Sequence, residues 1–177
     1  MVFFAQIILM YNGLLHLHNL LRWVILLLII IAIVRHFVGM TGNKPFTAKD
    51  RRTATFLMIA ANVQFLIGLY QWFFGPWGFK LIQSTPFGEI MKNATYRFWV
   101  IEHSLMMLIA VALISIGRGA AKKNIPDVSK HRRGFWFFLI ALIVILAAVP
   151  WPGREGIGRP LLPGMESVSF FSTNFGR

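Results

Sequence analysis

The 177-residue chain is 56% hydrophobic, carries charge on only 14% of its residues and has a mean hydropathy of +0.64. That composition excludes an ordinary water-soluble globule, and the absence of cysteine excludes disulfides, iron–sulfur clusters and thiolate metal sites. A formal net charge of +12 would suggest nucleic acid in a soluble domain, but here the charges fall in bursts between long apolar stretches, so a membrane lipid environment and no nucleic-acid partner are expected.

Stretches long enough to cross roughly 30 Å of hydrocarbon must satisfy their own backbone polar groups, which favours helices. The expected fold class is all-α, a four-transmembrane-helix up-down-up-down bundle with an extra N-terminal interfacial segment. Residues 2–37 are almost continuously apolar and as one helix would run about 54 Å, longer than a bilayer core is thick. A break is therefore expected at Asn12-Gly13, leaving residues 1–12 as an outer or interfacial segment and residues 13–38 as the first spanning helix. The first residues lack the basic start and small-residue cleavage site of a signal peptide, so they are expected to be retained.

Gly42, Asn43 and Pro45 mark a turn, and a second span is expected over residues 52–74, stopped by Gly75-Pro76-Trp77-Gly78 among interfacial aromatics. Residues 79–96 form an outer loop with room for a short interfacial helix. Third and fourth spans are expected over residues 97–116 and 133–149, the last ended by Pro150-Trp151-Pro152-Gly153. The bundle thus covers residues 13–152, and residues 153–177 form an extended outer tail. Short connections place the first and third helices across the diagonal.

Eleven of the 18 basic residues lie in two loops: Arg35, Lys44, Lys49, Arg51 and Arg52 in the first, Arg118, Lys122, Lys123, Lys130, Arg132 and Arg133 in the second. This excess assigns those loops to the cytoplasm and both termini to the outer side.

Polar residues within spans are costly and mark function. The first helix carries His16, His18, Asn19 and Arg22, the second Asn62, Gln64 and Gln71, and the third Glu102, His103 and Ser104. His18 and His103 lie five or six residues inside the outer ends of their helices and are nearly level. Diagonal axes are roughly 12–14 Å apart, a gap that suits two imidazoles facing one metal. No HExxH pattern or second carboxylate accompanies them, so a zinc hydrolase is poorly supported and a haem fits better. Gly68 shares a face with Gln64 and Gln71 and leaves room for a macrocycle, while Met106 and Met107 can line the slot. His16 points about 200° away from His18, and His18 is preferred because Arg22, four residues on, shares its face. Arg22 and Glu102 are candidates for a buried ion pair that fixes packing. His36 and His131, among basic-loop charges, are expected to be solvated, and the six tryptophans to be interface anchors.

Four stretches resemble small bacterial four-helix membrane proteins commonly labelled cytochrome b: His18-Asn19-Leu20-Leu21-Arg22-Trp23, Gln64-Phe65-Leu66-Ile67-Gly68-Leu69, Glu102-His103-Ser104-Leu105-Met106-Met107, and Val149-Pro150-Trp151-Pro152. The resemblance covers residues 13–152. It implies one haem b held by His18 and His103 near the outer face, with Arg22, Gln64, Gly68 and Met107 around it. It also implies single-electron exchange with a quinone or a membrane redox complex, in a bacterial inner membrane. The family tends to have a histidine where this chain has Asn62, so any role for an imidazole there is absent. Two other classes compete. One is a cofactor-free accessory subunit docking through its apolar fourth helix and its tail with Phe170, Phe171 and Phe175. The other is a membrane enzyme acting on haem, quinone or superoxide, with Glu102 beside His103 moving protons.

Overall fold

The computed structural model describes residues 2–162, with side chains from residue 10 onward. Among the described residues seven α-helices form: α1 Val2–Thr41, α2 Ala48–Phe74, α3 Phe79–Ser84, α4 Phe87–Lys92, α5 Ala94–Arg97, α6 His103–Gly119 and α7 Asp127–Ala148. A π-helical turn, Phe98–Glu102, joins α5 to α6, and the described residues contain no strand. The stretches Met10–Thr41, Ala48–Ser84, Ala94–Lys122 and Asp127–Ala148 are long and apolar enough to cross a membrane.

Local signals account for the ends. Thr47 caps α2 in a reciprocal box: its hydroxyl accepts from the Asp50 amide, and the Asp50 carboxylate accepts from the Thr47 amide at 2.8 Å. This box satisfies two amides that the first helical turn leaves unpaired. It starts α2 four residues before the expected Arg52. Pro126 precedes α7 and Asp127 sits in its first turn, favourable against the helix dipole. The fourth span therefore begins at Asp127, not Arg133, and its basic residues ride on a helical turn. Asn93 Oδ1 accepts from the Tyr96 amide and opens α5.

The expected break at Asn12-Gly13 does not occur: α1 is helical from Val2 to Thr41. Gly13 has open space around its Cα, and no neighbour there forces the helix to end. A glycine in mid-helix weakens it by about 1 kcal/mol, too little to stop an apolar helix. The segment expected as a loop over residues 79–96 carries α3, α4 and the start of α5 in place of one short helix, and α4 seals the bundle end with fully buried Ile90.

α1 packs against α2 and α7, and α6 against the same two, so α1 and α6 face each other across the bundle. Its interior is built from Ile25, Ile29, Leu57, Ile114, Phe138 and Ile145, interleaved with Ala32, Ala54, Ala61, Ala110 and Ala141. Small residues let helix backbones approach closely where lipid offers no hydrophobic drive between helices. Large apolar side chains also cover the outside, among them Leu27, Ile30, Leu66 and Ile143. A surface this apolar is the kind that lipid covers. The chain after α7 turns at Gly153 and Gly156, both with positive φ, and runs back beneath α1. Residues 163–177, including Phe170, Phe171 and Phe175, lie outside the described residues.

Candidate functional site

The polar residues of the spans gather at two levels of the bundle. At the first, His18 on α1 lies against Gly68 of α2, where an added Cβ would stand 3.0 Å from its Cε1. Gln64, one turn before Gly68, donates its side-chain amide to the His18 carbonyl at 2.8 Å. His103 begins α6 directly after the π turn and donates Nδ1–H to the Ala148 carbonyl at 2.9 Å. A carbonyl only accepts, so that bond fixes the tautomer and leaves the lone pair of His103 on Nε2, the arrangement usual for metal-ligating imidazoles. The ring is flanked by Phe98 and Trp99 at 5.7 Å between centroids. His18 and His103 stand on helices that face each other across the bundle.

The π turn positions this histidine. Such turns insert one residue into a helix and recur at functional sites. Here the Val100 carbonyl accepts from Trp72 Nε1 of α2 at 3.0 Å. The turn thus ties α6 to α2 immediately before His103.

The first level is rich in polar atoms lacking a partner. His18 Nδ1, Asn19 Oδ1, Arg22 Nε, Gln64 Oε1 and Gln71 Nε2 are all enclosed with no hydrogen-bond partner among the described residues. Most buried polar groups in folded proteins are paired, so a cluster of exceptions on α1 and α2 needs a physical account. Met107 packs on the adjoining core. His16 is exposed, as its angular offset from His18 predicts. Asn62 is exposed too and donates to the Met58 carbonyl of its own helix at 2.7 Å. The position where the resembling family carries histidine therefore faces away from His18 and His103.

The Arg22–Glu102 ion pair does not form. Glu102 accepts from Arg97 Nε at 2.6 Å, and Arg22, buried at 9% exposure, donates to the Leu161 carbonyl at 2.8 Å. Arg22 also lies over the rings of Trp23 and Trp151. A returning chain segment supplies a carbonyl that needs no desolvated carboxylate, which is why the arginine turns to it.

No protein-family model matches this chain, nor does any curated protein or solved structure.

The second level lies near the basic loops, and sequence reasoning missed it. His36 and His131 were expected in solvent, yet they are 3% and 1% exposed and meet through their Nδ1 atoms at 3.2 Å. Phe46 and Phe138 close around them. Glycine makes the space: a Cβ at Gly39 would collide with the His131 ring, and one at Gly134 would lie 2.7 Å from the His36 ring. The signal was present in the sequence as a repeated His-x-x-Gly, His36 to Gly39 and His131 to Gly134. Each histidine fills the notch left by the other helix's glycine. His18 and His36 are eighteen residues apart, five turns of one helix, and so lie on the same face about 27 Å apart. Among the described residues no group of three or more acidic or histidine side chains forms a metal cage.

Proposed function

We propose that this chain is a membrane-bound b-type cytochrome, holding one haem between His18 and His103 and exchanging single electrons with a quinone or a membrane redox partner. What supports the reading is two enclosed imidazoles on helices that face each other across the bundle, His18 with an Nδ1 that has no partner among the described residues and His103 with its lone pair held on Nε2. A haem iron supplies reversible one-electron chemistry when bound by such a pair.

The surrounding residues have defined tasks in this reading. The Ala148 carbonyl orients His103, and Gln64 holds the α1 backbone at His18. Gly68 keeps the space beside the His18 ring free of a side chain. Arg22 Nε and Gln71 Nε2 bring donors with no partner among the described residues to the same level, suited to carboxylates at the edge of a macrocycle. Phe98, Trp99 and Met107 supply apolar walls that exclude water.

The topology in this reading is up-down-up-down, with both termini outside and the basic loops in the cytoplasm of a bacterial inner membrane. Contact registers support it. Between α1 and α7, residue 36 meets 134 and 39 meets 131, so position numbers rise on one helix as they fall on the other. Between α1 and α2, Tyr11 lies at Gly75, His18 at Gly68 and Arg35 at Asp50. Between α2 and α6, Trp72 bonds Val100 and Thr55 bonds Arg118. Between α6 and α7, His103 bonds Ala148 and Gly117 packs on Phe138.

The test is an optical spectrum of the purified protein with a pyridine haemochrome assay. One haem per chain and a six-coordinate low-spin spectrum are expected, lost in His18→Ala and His103→Ala and kept in His16→Ala. A colourless, stable protein that co-purifies with a larger membrane complex would instead identify a cofactor-free accessory subunit.

A further inference from the structure

Two adjoining clefts open on the face that carries the basic loops. The first, about 380 Å³, lies between the end of α1 and the start of α2 and is lined by Val34, Arg35, Lys44, Asp50 and His131 among others. The second, about 190 Å³, is lined by Phe46, Arg51 and Lys130. Thr47 lines both, so the clefts are neighbours across one residue.

Their walls bring together four cations, Arg35, Lys44, Arg51 and Lys130, and one carboxylate, Asp50. That carboxylate is already committed. It accepts from Arg35 at 2.7 Å and from the Thr47 amide and hydroxyl at 2.8 and 2.6 Å. Arg35 is thereby paired, and Lys130 is paired with Asp127 at 3.0 Å, so the cations without a carboxylate partner among the described residues are Lys44 in the first cleft and Arg51 in the second, and the lining keeps a net positive charge. His131 adds an independent sign of a missing partner. It is 1% exposed, lines the first cleft, and its Nε2 has no hydrogen bond. When His36 Nδ1 donates to His131 Nδ1, the proton of His131 sits on Nε2 and is free to meet an acceptor.

The apolar wall shows what else the ligand carries. Val34 is 55% exposed, and Ile30 and Leu27, one and two turns further along α1, are 50% and 62% exposed. This stripe leads from the cleft along the outside of the bundle, where acyl chains lie. A charged head with chains fits both parts, and a free phosphate fits only the first.

We propose that the paired clefts bind the headgroup of an acidic phospholipid with two phosphates, one phosphate in each cleft and the acyl chains along the Val34, Ile30 and Leu27 stripe. Basic pockets between spanning helices on the positively charged side suit such headgroups. The inference is independent of the haem reading, since no residue of the clefts belongs to the His18 level.

The experiment uses the full chain in neutral detergent, titrated with cardiolipin, phosphatidylglycerol, phosphatidylcholine and inorganic pyrophosphate, with binding and unfolding temperature recorded. Cardiolipin is expected to bind at least about tenfold tighter than phosphatidylglycerol, to raise the unfolding temperature, and to weaken as salt rises. Phosphatidylcholine is expected to do neither. Lys44→Gln combined with Arg51→Gln is expected to remove the preference, and Lys123→Gln, which lines neither cleft, to keep it. Equal binding of phosphatidylglycerol or phosphatidylcholine, an unchanged preference in the double variant, or competition by pyrophosphate as strong as by cardiolipin would each overturn the proposal. Native mass spectrometry of the unaltered protein gives a second reading, with a retained diphosphatidyl lipid expected and its absence contrary.

Discussion

An imidazole inside a helical bundle needs room for its ring and a partner for its nitrogens, and at both histidine levels glycine provides the room. Gly39 and Gly134 face the rings of His131 and His36 so closely that alanine at either position must push a packed aromatic group aside. Overpacking of this kind costs roughly 1–3 kcal/mol. Gly39→Ala and Gly134→Ala are expected to lower the unfolding temperature in detergent, while Gly88→Ala, with nothing near its Cα, leaves it unchanged. His36→Ala removes the bonded partner that a buried nitrogen of His131 has among the described residues and is expected to cost about 1–3 kcal/mol, measured in the same way. Proximity in sequence to Arg35 and Arg132 made both histidines look solvated. A hydropathy reading averages over neighbours, whereas burial follows the face on which a side chain stands. The repeated His-x-x-Gly spacing contained the information, because residues three apart share a helix face.

Elements here are held at their ends and at one deliberate irregularity. The capping box and the Arg35 ion pair converge on Asp50, whose side chain is 6% exposed, so one carboxylate ties the start of α2 to the end of α1. Asp50→Ala removes both and is expected to destabilise by about 1–2 kcal/mol from the cap, with Arg35 left half-exposed and able to find water. Thermal unfolding followed by circular dichroism checks it. The π turn before His103 gives the Val100 carbonyl to Trp72, and Trp72→Phe keeps the ring while deleting that bond. About 1 kcal/mol of stability is expected to go with it. In the cytochrome reading, the same substitution also alters the visible spectrum, because the tie precedes the haem ligand directly. The third span was legible as a helix over residues 97–116 from its apolar run, but a π turn leaves no trace in hydropathy. It arises from the fit of α6 against α2.

At the scale of the whole molecule, four apolar stretches, with basic turns after the first and after the third, already imply four spanning helices, and among the described residues four stretches long and apolar enough to cross a membrane lie near those positions. A chain without cysteine allows a direct test of orientation. Single cysteines at Lys44→Cys and Lys123→Cys are expected to react with a membrane-impermeant maleimide only after the cells are opened, and one at Gly153→Cys before. Labelling of Lys44→Cys in intact cells would reverse the proposed orientation.

The four long apolar segments and the basic turns were readable from residue order because each depends on local composition, and the same reading singled out His18 and His103 as candidates because lipid penalises a polar or charged residue wherever it is placed. Which partners those residues meet was not readable. Arg22 finds a carbonyl at Leu161, 139 residues away, Glu102 turns to Arg97, and His36 finds His131 across two helices. Long-range pairing follows from how four helix faces rotate to bury small residues against one another, and that rotation belongs to the packed bundle, not to any one segment.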